Sequence, residues 1–576
     1  MDCLGPLCFH TLNPQGAKIF GFSEFLAALA LIVVAWTIAD RRYVLHLQMA
    51  RWPVRRIAFH TVAIVGVLTL LTDVWRASAF PVITGNILSP VAWQALLGFA
   101  FLAVFVLWIW TAFLYPPVFN RKNGKRFVEV SYRTVAIGDT VELAHLAEAL
   151  GPSARKIVEM ASASEDLSRA GHSPAVISNQ LLHMMADPGF CHVTVRASPG
   201  TVHDIFLALR SFPGASRSVA PFARNVLTAA VDNQESFLHR ERPDHRSGLA
   251  AQSQVITRSV FGDIDTLDRI GWIFSQEAFE WKASNWHAFL RAAGQAFSSF
   301  SKRTRPARSQ TIVDIFSTIV HGTRNLHRLN GISDTAGESD ETETARAILE
   351  FVREAAEAMQ AGPVSIEQWA QEDWNPIQEL ARVSCKLLVD ASFVTAPSST
   401  NWWIQYNVVW SRIFDRHSDT PNLVLAEVQE RAARMIWSQI RELDYSPGFI
   451  GGHLLGLCLN IGWVVGTSRQ SSQDRSKPER ALLWLTHNWA RKRFAWLYKY
   501  DPKVATSGFS ELMSYQPKRQ TLRRMWEPIA GRPRAIYRSW EVESPPPGQA
   551  AKHLRPYAEL PREYSSRKRR VPRHIM

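Results

Sequence analysis

The residues best suited to metal chemistry crowd between positions 183 and 204: His183, Asp187, Cys191, His192, His203 and Asp204. Imidazole with thiolate would suit zinc, and such a set is the basis for a membrane-tethered metallohydrolase. The spacing argues against a shared site. His183 and Asp187 stand one helical turn apart, but Phe190 to Ala197 reads as a strand, on which Cys191 and His192 point to opposite faces. The expectation is no metal and no cofactor, with His183, Cys191, His192 and His203 as the weak ligand candidates.

Gly171-His172-Ser173-Pro174-Ala175 has the lettering of a nucleophile elbow, which requires a buried strand before the serine. Ser162 to Ala170 is polar, so Ser173 is expected to cap a helix that starts at Pro174. Asp263, Asp265 and Asp268 offer oxygen ligands, yet acids decorating a helix N-terminus need no ion. There is no Gly-x4-Gly-Lys-Ser/Thr loop, no Gly-x-Gly-x-x-Gly behind a strand and no Cys-x-x-Cys pair. Catalysis is therefore the less favoured class. Five scattered cysteines exclude a disulfide framework and suit a reducing compartment, although Cys3 and Cys8 could close one small loop.

The elements behind these residues are mainly helical. With 47% apolar and 20% charged residues in 576, the chain is neither disordered nor collagen-like. Its uncharged runs concentrate in the first 119 residues: Phe25 to Ala39, Ile57 to Thr72 and Val91 to Tyr115, the last ending at Pro116-Pro117. The runs predict three membrane-spanning helices. Arg41, Arg42, Arg51, Arg55 and Arg56 follow the first, and Arg121, Lys122, Lys125, Arg126 and Arg133 follow the third, against only Lys18 and Arg76 on the other side. The positive-inside rule then places the N-terminus outside and residues 120–576 in the cytoplasm, as in a bacterial inner membrane. No basic stretch precedes the first run, so no cleaved signal peptide is expected. Glu24 and Asp73 fall on the outer side, as snorkelling interfacial acids or as an ion-attracting ring if the protein oligomerises.

The predicted fold class is three N-terminal transmembrane helices followed by a large irregular helical cytoplasmic domain with at most a few short strands. The boundaries read as 1–119 for the membrane domain, 120–330 and 343–468 for two cytoplasmic helical parts, 469–540 for a basic aromatic-rich helical region and 541–576 for a disordered basic tail. Arg126 to Ile137 reads as a strand or linker, and Asn330 to Thr342 as a polar mobile loop. Phe449 to Thr467 is uncharged and holds five glycines, and is read as a buried core helix in preference to a membrane segment.

Charge is unevenly placed. Residues 1–119 carry a net +3, residues 120–468 a net −4 and the last 108 residues a net +15, which accounts for the overall +14. Such a terminus calls for an acidic partner. Arg491, Lys492, Arg493 and Lys499 alternate with aromatics, and on a helical projection Leu482, Leu485, Trp489 and Trp496 share the opposite face, with Arg493 breaking the apolar arc. The pattern suits an anionic membrane surface or a nucleic-acid groove. Arg567, Lys568, Arg569 and Arg570 in the tail could act alike. Trp402, Trp403, Tyr406 and Trp410 are read as core, or as an aromatic helix surface for a protein partner.

The expected function is a membrane-anchored helical binding or scaffold protein whose C-terminal region contacts anionic lipid headgroups or another polyanion. The alternative is a homo-oligomeric pore or effector gated by its cytoplasmic domain.

Overall fold

The computed structural model describes residues 2–4, 7–11, 18–38, 41–83, 89–163, 173–241, 254–278, 280–332, 336–414, 422–465, 476–526 and 536–543. The fold is mainly α-helical, in two compact units, 1–260 and 261–576.

Unit 1 opens with a hairpin of β1 (Asp2–Leu4) and β2 (Leu7–Thr11), in which Cys3 and Cys8 are direct register partners. β3 (Pro81–Ile83) adds to β2 antiparallel. Between them lie α1 (Phe22–Ile38), α2 (Arg41–Met49) and α3 (Val54–Ala77), and α4 (Pro90–Ile109) follows. α4 runs on through a π-turn, Trp110–Leu114, before Pro116-Pro117 removes the donors that would extend it. Phe25, Ile32, Val65, Leu97 and Phe101 form the core shared by α1, α3 and α4. Among the described residues, two of the three predicted spans become helices long and apolar enough to cross a bilayer, Val54–Ala77 and Val91–Leu114. α1 stops at 17 residues, about 25 Å at 1.5 Å per residue, short of a ~30 Å hydrocarbon core.

The remaining longer helices of unit 1 are α5 (Gly124–Ile137), α6 (Thr140–Leu150), α7 (Ala154–Ser162), α8 (Pro174–Met185), α9 (Pro188–Ala197), α10 (Pro199–Ser211) and α11 (Ser216–Asp232). Two segments read as extended are helices. Arg126 to Ile137 lies in α5, and Phe190 to Ala197 lies in α9, where Asp187 accepts from the Phe190 N–H at 2.9 Å and Pro188 occupies the first helical position. β-Branched residues 193–195 suggested a strand, but burial of Phe190, Cys191, Thr194 and Val195 along one helical face outweighs that local preference. Ser173 caps α8 as expected, accepting from the Val176 N–H. Ser153, at the position before α7, makes no capping bond and accepts from the Phe119 N–H at 3.0 Å.

Unit 2 packs α12 (Ala283–Ser301) on α14 (Asp340–Gln360), beside α13 (Gln310–Gly322). α15 (Pro376–Ser392) packs on α16 (Leu423–Glu442), and α17 (Phe449–Val465) lies against both. α18 (Lys477–Tyr500) packs on α16 and α17. An antiparallel sheet follows, β4 (Met513–Gln516), β5 (Thr521–Trp526) and β6 (Ile536–Glu541), in a region read from sequence as helical. Its strands are short and carry Arg523 and Arg524 side by side, which hides the apolar alternation of a half-buried strand.

Candidate functional site

The first candidate is the surface of α1, α3 and α4. Once the shared core is satisfied, Leu31, Phe59, Ile64, Val67, Phe99 and Leu102 all remain exposed, Leu31 at 71% and Phe99 at 68%. Apolar side chains exposed in this number are characteristic of surfaces that meet lipid or protein. The polar side chains of α3 and α4 are satisfied within their own helices: Thr69, Thr72 and Thr111 donate to the carbonyls of Gly66, Leu68 and Leu107.

At one end of this bundle the two acids singled out by the sequence come together. Asp73 Oδ2, at the end of α3, accepts from the Phe22 N–H at 3.0 Å. Glu24 Oε2 accepts from the Gly21 N–H and the Ser23 hydroxyl, each at 2.9 Å. A Cβ on Gly21 would lie 3.0 Å from Glu24 Oε2 and 3.1 Å from Asp73 Oδ2, so the carboxylates flank that glycine. Lys18 Nζ approaches Asp73 Oδ1 at 3.6 Å, and Gln94 Oε1 accepts from the Ile19 N–H at 3.1 Å. Both acids complement the positive end of α1 and tie its first turn to the end of α3. Gly21 and Gln94 were not picked out from sequence, and 75 positions separate Ile19 from Gln94.

No family model, curated protein or solved structure matches the chain. Its own side chains must carry the functional reading.

The histidine and cysteine candidates do not converge. Cys191 is fully buried in α9, its thiol donating to the Met185 carbonyl at 3.2 Å, and burial pushes its pKa upward, away from a ligating thiolate. His192 and His183 are exposed. His203 shares a 2.6 Å hydrogen bond with Ser259. Asp187 is occupied as the α9 cap. Among the described residues no three His, Cys, Asp or Glu side chains gather to hold a metal. Asp263 caps the seven-residue helix Ile264–Ile270, and Asp268 accepts from the Thr311 N–H at 3.0 Å and from Arg303 at 2.9 Å, so the acidic cluster serves local structure.

In the C-terminal region α18 uses its apolar face inside unit 2. Leu482, Leu485 and Trp489 are buried, which removes the free amphipathic face that an interfacial membrane helix needs. Arg493, which breaks the apolar arc, turns inward: its Nε lies 3.9 Å from Oδ1 of Asp444, which also accepts from the Trp489 indole at 3.0 Å. Burial raises the Asp444 carboxyl pKa despite the pull of Arg493. Arg491, Lys492 and Lys499 are exposed, and Arg491 lies 3.4 Å from Glu543. Arg567, Lys568, Arg569 and Arg570 lie outside the described residues.

The aromatic set near residue 402 is largely internal. Trp410 is buried and donates to Glu479 at 2.9 Å, Trp402 stacks on Tyr406 with ring centroids 4.6 Å apart, and Arg346 covers Trp403 at 5.1 Å. Sequence reading missed the polar chain beneath it. Arg524 donates to Asn460 Oδ1 at 3.0 Å, and the Asn460 amide donates to Asn401 at 2.9 Å and to Gln405 at 3.4 Å. All four are buried, and Asn460 and Arg524 lie more than 50 positions from the Asn401–Gln405 pair.

Proposed function

We propose that the chain is an integral membrane protein anchored by α3, α4 and the shorter α1, with the N-terminus outside and residues 120–576 in the cytoplasm. The helical remainder acts as a binding or scaffold module. Its exposed C-terminal cations, Arg491, Lys492 and Lys499 with the tail arginines and Lys568, contact anionic lipid or another polyanion. The observation that carries the anchoring is the set of exposed apolar side chains on α1, α3 and α4, which water would penalise at roughly 25 cal/mol per Å². The ten flanking basic residues on one side against two on the other carry the orientation. α1 fits a bilayer by local thinning, with Glu24 at headgroup level.

The test is carbonate extraction of membranes holding the full-length protein, with impermeant maleimide labelling of Asn86→Cys and Lys122→Cys. Retention in the membrane, with position 86 labelled from outside and position 122 protected until lysis, supports the reading. Release by carbonate defeats the anchoring, and the reversed labelling pattern defeats the orientation. Co-sedimentation of the full-length protein with polyanion at low and high salt then separates an electrostatic contact from none.

The convergence of Glu24 and Asp73 favours a second reading, an oligomeric pore with an acidic outer ring. Asp73→Asn keeps the acceptor for the Phe22 N–H and removes the charge, so an altered cation permeation in reconstituted protein supports this reading. Absence of any conductance counts against it.

A further inference from the structure

At the basic end of the α3–α4 pair lies a cavity of about 410 Å³ that none of the preceding assignments uses. One wall is apolar, from Val54, Ile57 and Leu107, and the rim carries Arg51, Trp52 and Asn120. The polar side chains of the loop and walls are already committed. Asn123 accepts from the Asn120 N–H at 2.8 Å and donates to the Val118 carbonyl at 2.9 Å, and Thr111 donates to the Leu107 carbonyl. Asn120 Oδ1 accepts from the Lys122 N–H at 2.8 Å. What the rim still offers a ligand is positive charge. Arg51 lies over the Trp52 ring at 5.3 Å, which orients its guanidinium, and Arg55, Arg56, Arg121 and Lys122 are exposed nearby in sequence on the flanking segments. Among the described residues no carboxylate pairs with any of these five cations. The first turn of α3 begins at Pro53 with no side chain capping it, so its positive end adds to the same potential.

We infer that this cavity binds an anionic phospholipid of the cytoplasmic leaflet, its phosphate on Arg51 and the start of an acyl chain against Ile57 and Leu107. The inference rests on the membrane anchoring proposed above. An apolar wall leading to an unpaired guanidinium matches an amphiphile with a negative head, and basic pockets between membrane helices on the cytoplasmic side suit such headgroups. The volume lies within the ~300–1,000 Å³ typical of small-ligand sites, enough for a headgroup and the upper part of a chain. Arginine supplies the planar fork for phosphate oxygens. Trp52, 61% exposed, stands on the rim with a side chain suited to the headgroup level.

Native mass spectrometry of the full-length protein in mild detergent, titrated with phosphatidylglycerol or phosphatidylcholine, tests this. Phosphatidylglycerol should be retained about tenfold better than phosphatidylcholine, a 1.4 kcal/mol preference. Both Arg51→Gln and the cavity-filling Thr111→Phe should abolish that preference, while Lys125→Gln, outside the lining, keeps it. Equal retention of the two lipids, or loss of preference in Lys125→Gln to the same extent as in Arg51→Gln, overturns the site. So does displacement of the lipid by inorganic phosphate alone, which would make the cavity a soluble-anion site. An unchanged circular dichroism melt for each variant keeps misfolding out of the comparison, and carbonate extraction of the wild type reports separately on the anchoring.

Discussion

Helices α1 and α17 are each 17 residues long, and α1 has one charged residue, Glu24, while α17 has none. α1 leaves Leu31, Val33 and Val34 exposed, whereas α17 buries almost everything from Gly451 to Trp463. Apolar content does not separate them. What does is the fate of their small and polar residues. In α17 a Cβ on Gly456 would stand 2.2 Å from the Gly508 carbonyl oxygen, and one on Gly452 would stand 2.3 Å from that of Val504, so another backbone lies directly on the helix. Its polar groups also have distant partners within the unit, His453 with the Ser392 carbonyl and Asn460 with Asn401, Gln405 and Arg524. The polar groups of α1 act within the helix ends, Ser23 and Glu24 at the first turn and Thr37 on the Val34 carbonyl near the last. A helix whose polar side chains reach across a packed interior belongs to a core, and one whose polar side chains only finish its end is free to face another phase.

The sharpest way to break this contrast is to put the same charge on both kinds of surface. Leu457→Arg in α17, at a fully buried position, should cost more than about 4 kcal/mol and leave unit 2 unfolded. Leu102→Arg in α4, at a position 55% exposed, should leave protease resistance in detergent unchanged while costing about 3 kcal/mol of membrane insertion. Limited proteolysis and membrane-fraction yield read the two effects separately. If Leu102→Arg unfolds the detergent-solubilised protein as well, the outer face of α4 is packed against protein and the distinction between the helices fails.

Asn460 allows a finer probe of the buried side. Asn460→Ala removes an acceptor from Arg524 and donors from Asn401 and Gln405 without adding bulk. Stranding these buried groups should cost about 2 to 3 kcal/mol, seen as a lower denaturation midpoint with the same slope. A loss below about 0.5 kcal/mol would mean the chain of amides adds little to fixing α17.

Several of these features were legible beforehand. Ser173 marks its helix because a cap and the following apolar period are local. The buried reading of 449–467 rested on charge: a fourth span would have exported a segment of net +15. The strand read at 190–197 failed because the cap Asp187 and the start Pro188 lay outside the window in which β-branched residues dominate. Arg493 looked like a flaw in an amphipathic face because its partner, Asp444, belongs to another helix end 49 positions earlier. The Asp73–Phe22 hydrogen bond spans 51 positions, and nothing periodic announces it. Long-range polar pairing is what composition and spacing cannot supply, and it accounts for most of the site geometry found here.

His487 carries the comparison into pH. Its ring lies against Trp540, with centroids 3.4 Å apart, and near Trp463 of α17. Burial lowers its pKa to about 3 from an unfolded value near 6.5. Below pH 6.5 the unfolded chain takes a proton that the folded chain refuses, so the contribution is full above that value and is lost as pH falls toward 3. Between pH 7 and pH 5 unit 2 should lose about 2 kcal/mol from this residue. His487→Phe, which preserves the ring packing, should reduce the loss by that amount; urea melts of both proteins at the two pH values give the difference directly. Equal pH dependence in the two proteins would show that the site admits water and the charged ring.

On the exposed side the effects should be small, and Asp73→Asn is the test. The Lys18–Asp73 contact is 3.6 Å long with Lys18 48% exposed, so its loss should cost less than about 1 kcal/mol. The asparagine oxygen can still accept from the Phe22 N–H and hold α1 to α3. The variant should therefore melt within a few degrees of the wild type in detergent and insert normally. Asp73→Ala also removes the acceptor, and should open the start of α1 to faster amide exchange at Phe22. If Asp73→Asn destabilises as much as Asp73→Ala, the charge itself holds the helix end. The acidic end of the bundle would then be a structural device to the same degree as the amide chain around α17.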